Sequence, residues 1–340
     1  MAKIGVVGTT TWGTTLAVLL ARRGHTVTLL ALNAEEVQAL TRARHHPRLP
    51  TFPFPPTLHL TPDPWEVAQN AQMVVLAVPS PTMRENARRL APALEGDTIV
   101  LHGSKGLEPG TALRMSEVLA QELPAHRGRV AVLAGPNLAG EIARGLPAST
   151  VVASADAEVA RWVQEAFHSP TFRVYTSRDV VGVELGGVLK NTFALGAGMC
   201  DGLGLGTNAK SALITRALAE MIRLGVAAGA EPWTFAGLAG IGDLMATCWS
   251  TLSRNRQVGE RLGQGYPLQE VMRDLGQVAE GVHTVAEVMR LAERYQVEMP
   301  IARMIYRVLF EGVPVAEAME ALLHRPPEAE WPHGWSTSTA

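Results

Sequence analysis

Along the first half of the chain, short apolar runs alternate with stretches whose hydrophobic residues recur at helical spacing. Residues 4–7, 26–30, 73–78, 98–101, 130–133 and 149–153 predict strands. Runs that are apolar on both faces suit a mostly parallel sheet with helices covering either side. Between the first two, Leu16, Val18, Leu19 and Leu20 supply the buried positions of a helix over about residues 13–23, which Gly24 stops. Residues 47–64 hold too many prolines for regular helix, and predict a long loop leading back to a helix near residues 65–70. After about Ser177 the strand-like runs vanish. Helical patterns follow over residues 183–196, 208–229, 268–275, 285–295, 301–310 and 315–323. The expectation is an α/β chain: a doubly wound sheet over residues 1–178, an all-helical second domain over 179–325, and a loose tail over 326–340.

Composition supports ordinary globular packing, with 47% hydrophobic and 18% charged residues, and 340 residues exceed what one core usually serves. A net charge of -2 argues against a nucleic-acid-binding face, which needs clustered cationic excess. Cys200 and Cys248 are too few for a disulfide framework and fit a reducing compartment, hence a cytoplasmic protein. The chain enters its first strand at Lys3, which predicts no signal peptide, and no apolar stretch approaches the roughly 20 residues of an integral membrane segment.

Gly8-Thr9-Thr10-Thr11-Trp12-Gly13 joins the first strand to the first helix, where a dinucleotide-binding fold of the Rossmann type carries its phosphate loop. The helix amino terminus would offer its amides and partial positive charge to a pyrophosphate. Thr10 stands at the usual middle glycine. Leu29-Leu30-Ala31-Leu32-Asn33, at the end of the second strand, holds neither a carboxylate for a ribose 2′-hydroxyl nor an arginine for a 2′-phosphate. Arg42, Arg44 and Arg48 follow in a loop, so NAD and NADP both stay open.

Three further segments interrupt apolar surroundings with chemistry. Lys105, in His102-Gly103-Ser104-Lys105-Gly106, and Asn137, in Gly135-Pro136-Asn137, follow strand ends, where ligands collect in such sheets. Lys190 and Asn191 break an apolar, small-residue helix. A desolvated lysine has a lowered pKa and can exchange a proton with a hydroxyl, though a packed stem with its head in water is the competing reading. Gly237 to Gly242 is too glycine-rich for a helix interior and predicts a shaped loop presenting Asp243. Ser253-Arg254-Asn255 suits a phosphomonoester, or simply starts a helix.

These residues and their spacing resemble the bacterial NAD(P)-dependent sn-glycerol-3-phosphate dehydrogenase family. The carriers run from Lys3 to about Val315 and include Trp12-Gly13-Thr14, Ser104-Lys105-Gly106, Glu184 to Asn191, Asp201-Gly202-Leu203-Gly204, Ser253-Arg254-Asn255-Arg256 and Ala279-Glu280-Gly281. The resemblance implies interconversion of dihydroxyacetone phosphate and sn-glycerol 3-phosphate with NAD or NADP, feeding glycerophospholipid synthesis. It makes Lys190 the proton acceptor, places Lys105 on substrate and cofactor, and has Asp243 hold the reacting groups. It gives Ser253, Arg254 and Asn255 to the substrate, with Arg254 also near the cofactor, and adds Gly135 and Asn137 as substrate contacts. Gly8, Thr10, Thr11, Trp12, Gly13, Ala139, Val278 and Glu280 complete the cofactor set; no metal enters it. A homodimer is expected from the helical second half. Departures from the family pattern are Thr10, Leu30, Leu32, Asn137, Gly140 and Thr207, and most of the first of these lie on the cofactor side. They keep two alternatives alive, a non-catalytic nucleotide or phosphometabolite sensor and a dehydrogenase of a related hydroxyacid.

Overall fold

A computed structural model describes residues 1–275, 279–326 and 329–330. Its sheet is built from β1 Lys3–Val7, β2 Thr26–Leu30, β3 Leu58–Thr61, β4 Met73–Leu76, β5 Ile99–His102, β6 Val130–Ala134, β7 Ala148–Ala153 and β8 Phe172–Ser177. Their order is β3-β2-β1-β4-β5-β6-β7-β8, parallel throughout except for the antiparallel β6–β7 pair. The strand order runs outward in opposite senses from the β1–β4 boundary, the doubly wound arrangement that leaves a crevice at the strand carboxyl ends. Covering helices are α1 Thr11–Arg22, α2 Ala34–Ala43, α3 Pro64–Ala68, α4 Met83–Leu90, α5 Met115–Glu122, α6 Ala139–Ala143 and α7 Ala157–Phe167.

Two strands were not expected. β3 lies inside the stretch read as loop: its alternation of buried Leu58 and exposed His59 is only four residues long, and prolines precede it. At the sheet edge beside β2 those prolines stand outside the paired segment and remove no ladder donor. β8 buries Phe172 and Val174 while Arg173 and Tyr175 face out, a period-two pattern with few apolar residues.

From Val180 onward the chain is helical: α8 Val180–Gly202, α9 Gly206–Ala227, α10 Asp243–Trp249, α11 Arg254–Gly263, α12 Leu268–Leu275, α13 Glu280–Arg294, α14 Pro300–Phe310 and α15 Val315–Leu323. α8 runs past Gly196, the residue at which the pattern suggested it ends. Its glycines are contact points and not stops. A Cβ on Gly198 would lie 2.0 Å from the Arg256 carbonyl, and one on Gly259 would lie 1.9 Å from that of Leu195. Only glycine permits this backbone approach, which seats α11 on α8. The glycine-rich segment before Asp243 is likewise less open than expected. Leu238–Gly242 forms one wide helical turn, kinked at Gly240, and runs into α10. Among the described residues no helix is long and apolar enough to cross a membrane. The expected tail, 326–340, and Val278 lie almost wholly or wholly outside the described residues.

Candidate active site

The loop after β1 is shaped for a diphosphate. Gly8 adopts φ +106°, and a Cβ on Gly13 would sit 2.1 Å from the Gly8 carbonyl oxygen, so both positions demand glycine. Thr10 fills the middle position with a function of its own. It caps α1, accepting from the Gly13 amide at 2.9 Å, and donates to the Ala77 carbonyl at 3.0 Å. The amides of Thr11 and Trp12 then head the helix. The Trp12 indole N–H is buried without a partner, against Gly103 at the end of β5. A glycine cradle, a helix head and an orphaned donor at the strand ends fit a dinucleotide.

Opposite lies a lysine pair on one carboxylate. Asp243, 1% exposed as the first residue of α10, accepts from Lys105 Nζ at 2.7 Å through Oδ2 and from Lys190 Nζ through Oδ1. The Gly135 carbonyl holds Lys105 at 3.1 Å. Lys190, 7% exposed in the middle of α8, also donates to the Thr247 hydroxyl at 2.9 Å. Thr247 in turn donates to the Asp243 carbonyl, one turn back, at 2.6 Å. Burial lowers the Lys190 pKa to about 8: desolvation acts first and the Lys105 charge adds to it, against the pull of Asp243. One amine of the pair can therefore exchange a proton near neutral pH.

The remaining expected residues divide. Asn137 binds Thr150 Oγ1 at 2.9 Å, leaving its own buried carbonyl oxygen without a partner. Ala139 begins α6. Ser253 caps α11, its hydroxyl accepting from the Arg256 amide at 3.3 Å, so its helix-starting reading is realised. Asn255 is buried in an amide chain, donating to Asn191 at 3.0 Å and accepting from the Gly281 amide at 3.1 Å, while Asn191 reaches the Lys105 carbonyl at 3.4 Å. Arg254 is exposed at the head of α11, where its charge reaches the carboxyl of Glu280. Burial raises the Glu280 pKa, and Arg254, Lys105 and Lys190 pull it back. Sequence reasoning left Thr247 and Asn191 out of the site. Asn191 follows Lys190 directly, whereas nothing in the pattern distinguishes a threonine one turn into α10.

A phosphate-cradling turn on a doubly wound sheet, facing a buried lysine–carboxylate pair, defines a nicotinamide-dependent oxidoreductase. The family described as NAD-dependent glycerol-3-phosphate dehydrogenase matches in both its parts, the N-terminus over residues 3–160 and the C-terminus over residues 179–320. The chain belongs to that family. Relatives named glycerol-3-phosphate dehydrogenase (NAD(P)+) include one from Moorella thermoacetica, 49% identical over 95% of this chain and 96% of its own length. Another, from Desulfitobacterium hafniense, is 46% identical over 96% of this chain and 92% of its own. The crystal structure of glycerol-3-phosphate dehydrogenase from Coxiella burnetii superposes with a TM-score of 0.90 at 38% identity, covering 95% of this chain and 99% of that one. These matches favour neither the sensor nor the hydroxyacid alternative.

Proposed function

We propose that the chain reduces dihydroxyacetone phosphate to sn-glycerol 3-phosphate with NADH or NADPH, and runs the reverse reaction, supplying the backbone of glycerophospholipids. One observation carries this: the Lys190 amine is buried at the strand ends, bound to Asp243 and Thr247, with a pKa of about 8. In the oxidising direction Lys190 accepts the hydroxyl proton, and in reduction its ammonium returns it. Lys105, fixed by Gly135 and Asp243, polarises the same substrate oxygen. A bound nicotinamide supplies or takes the hydride. Gly8, Thr10, Thr11, Trp12 and Gly13 would hold the diphosphate, and Ala139 and Glu280 the remainder of the cofactor.

The phosphate charge falls to Arg254, while the Ser253 hydroxyl, which only accepts in the cap, and the second N–H of Asn255 keep donor capacity beside it. Residues 1–178 and 179–325 act as two units closing on the substrate, with Gly135 and Asn137 at the seam. Replacing Lys190 with Ala should leave the circular dichroism unchanged and cut kcat by about 10²–10⁴ in either direction; full turnover in this variant would end the assignment. We further place the protein in the cytoplasm as a homodimer. Exposed Met245, Trp249 and Leu252 near α10 support self-association. A monomer in sedimentation equilibrium would exclude it.

A further inference from the structure

The end of β2 is where a dinucleotide fold reads the adenosine ribose, with an acid for a 2′-hydroxyl or a cation for a 2′-phosphate. The strand end itself has neither. The structure brings a carboxylate there from the next helix. Asn33 caps α2, its side chain accepting from the Glu36 amide at 2.8 Å. This turns the Glu36 side chain back toward the strand. Its Oε2 accepts from the Leu32 amide at 2.7 Å, and its Oε1 accepts from the Thr9 hydroxyl at 2.8 Å. The carboxylate thus bridges the end of β2 and the phosphate loop after β1.

On the strength of the dehydrogenase reading, we propose that Glu36 is the ribose-reading acid of this chain and makes it selective for NAD(H) over NADP(H). Each carboxylate oxygen has one protein donor and keeps acceptor capacity for a ribose hydroxyl. A 2′-phosphate would set its negative charge beside this one. Leu32, His46 and Arg44 do not offset that repulsion. Leu32, 81% exposed, presents an aliphatic side chain. His46 has its pKa lowered by burial and by the Arg48 charge, against Glu36 and a hydrogen bond with the Thr9 backbone, which favours the neutral ring near pH 7. Arg44 points its guanidinium at the Phe54 carbonyl, 3.4 Å away. Arg48, close to His46, is the residue through which a phosphate-binding alternative would act.

Calorimetric titration of the purified full-length chain with NADH and NADPH separately tests this without relying on turnover. NADH is expected to bind at least about tenfold more tightly. Glu36→Gln should narrow that ratio by about tenfold, and Leu32→Arg combined with it should invert the preference. Arg48→Ala should leave the ratio unchanged. Equal affinities in the wild type, an unaltered ratio in Glu36→Gln, or a selective loss of NADPH binding in Arg48→Ala would each overturn the proposal while leaving the dehydrogenase reading intact. Binding of neither dinucleotide would overturn both.

Discussion

Two buried charge clusters sit on helix α8, one closed by α10 and the other by the start of α5, and they behave oppositely. In one, Lys105 and Lys190 share Asp243, so two cations face one anion. In the other, Glu184 of α8 binds Arg114 at 2.6 Å and the Ser116 amide at 2.8 Å, with the His102 ring 3.1 Å away. Burial works against the Glu184 anion, but His102, Arg114 and Ser116 outweigh it and hold the carboxyl near 2. The Lys190 pair is under-compensated, and its amine is pushed down to about 8. A lysine can relieve such a surplus by releasing a proton. Arginine cannot, so any imbalance around Arg114 must appear as lost stability. The first cluster is built to exchange protons, and the second ties the start of α5 to α8.

Removing each central carboxylate should separate these roles. Asp243→Asn withdraws the charge that raises the Lys190 pKa. Lys190 is then neutral through a lower pH range and loses its orienting partner. We expect kcat to fall by about 10²–10⁴ while the melting temperature shifts modestly, because the unpaired amine sheds its proton. In the wild type, ketone reduction requires the ammonium, so its rate should decline as pH rises through about 8. In the variant the midpoint should move lower, and an unmoved midpoint would detach Asp243 from the titration. Glu184→Ala should instead destabilise the chain by about 1–3 kcal/mol, because the Ser116 amide loses its acceptor and the half-buried Arg114 keeps only the Glu117 carboxylate, at 3.3 Å. Chemical denaturation measures this directly. A variant as stable as the wild type but inactive would place Glu184 with the chemistry and erase the contrast.

Legibility in the sequence followed how each feature is made. The central strands β1, β4, β5 and β6 are apolar on both faces and stood out. β3 and β8 lie toward or at the margins, where pairing with one neighbour compensates for weak patterns. Glycine misled in α8, because the residue that ends an isolated helix also permits helix contact, and only the packed partner α11 reveals which applies. The lysines were readable because charge inside an apolar run is costly. Their shared acid was readable from its glycine frame, though α10 presents it from a helix start and not a loop. Glu36 was not legible because such folds carry the acid at the strand end itself, whereas here the carboxylate arrives from the first turn of a capped helix.

A third buried carboxylate extends the comparison to a group held chiefly by backbone hydrogen bonds. Glu220 of α9, 2% exposed, accepts from the Ile301 amide at 2.7 Å and the Ala302 amide at 3.2 Å, satisfying the amino terminus of α14. Burial raises its pKa to about 7, and the two amides, with the Arg223 and Arg325 charges behind them, only partly oppose this. Folded protein then binds a proton between about pH 4.5 and pH 7 that the unfolded chain has released, so stability should fall as pH rises through that window. At about 1.4 kcal/mol per unit, the loss amounts to roughly 3–4 kcal/mol. Glu220→Gln keeps one acceptor and cannot titrate; its stability should therefore vary less with pH, with the wild type's advantage greatest near pH 4.5 and smallest above pH 7. Parallel stability curves for the two proteins would mean that the helix amides and the Arg223 and Arg325 charges together keep Glu220 ionised despite its burial.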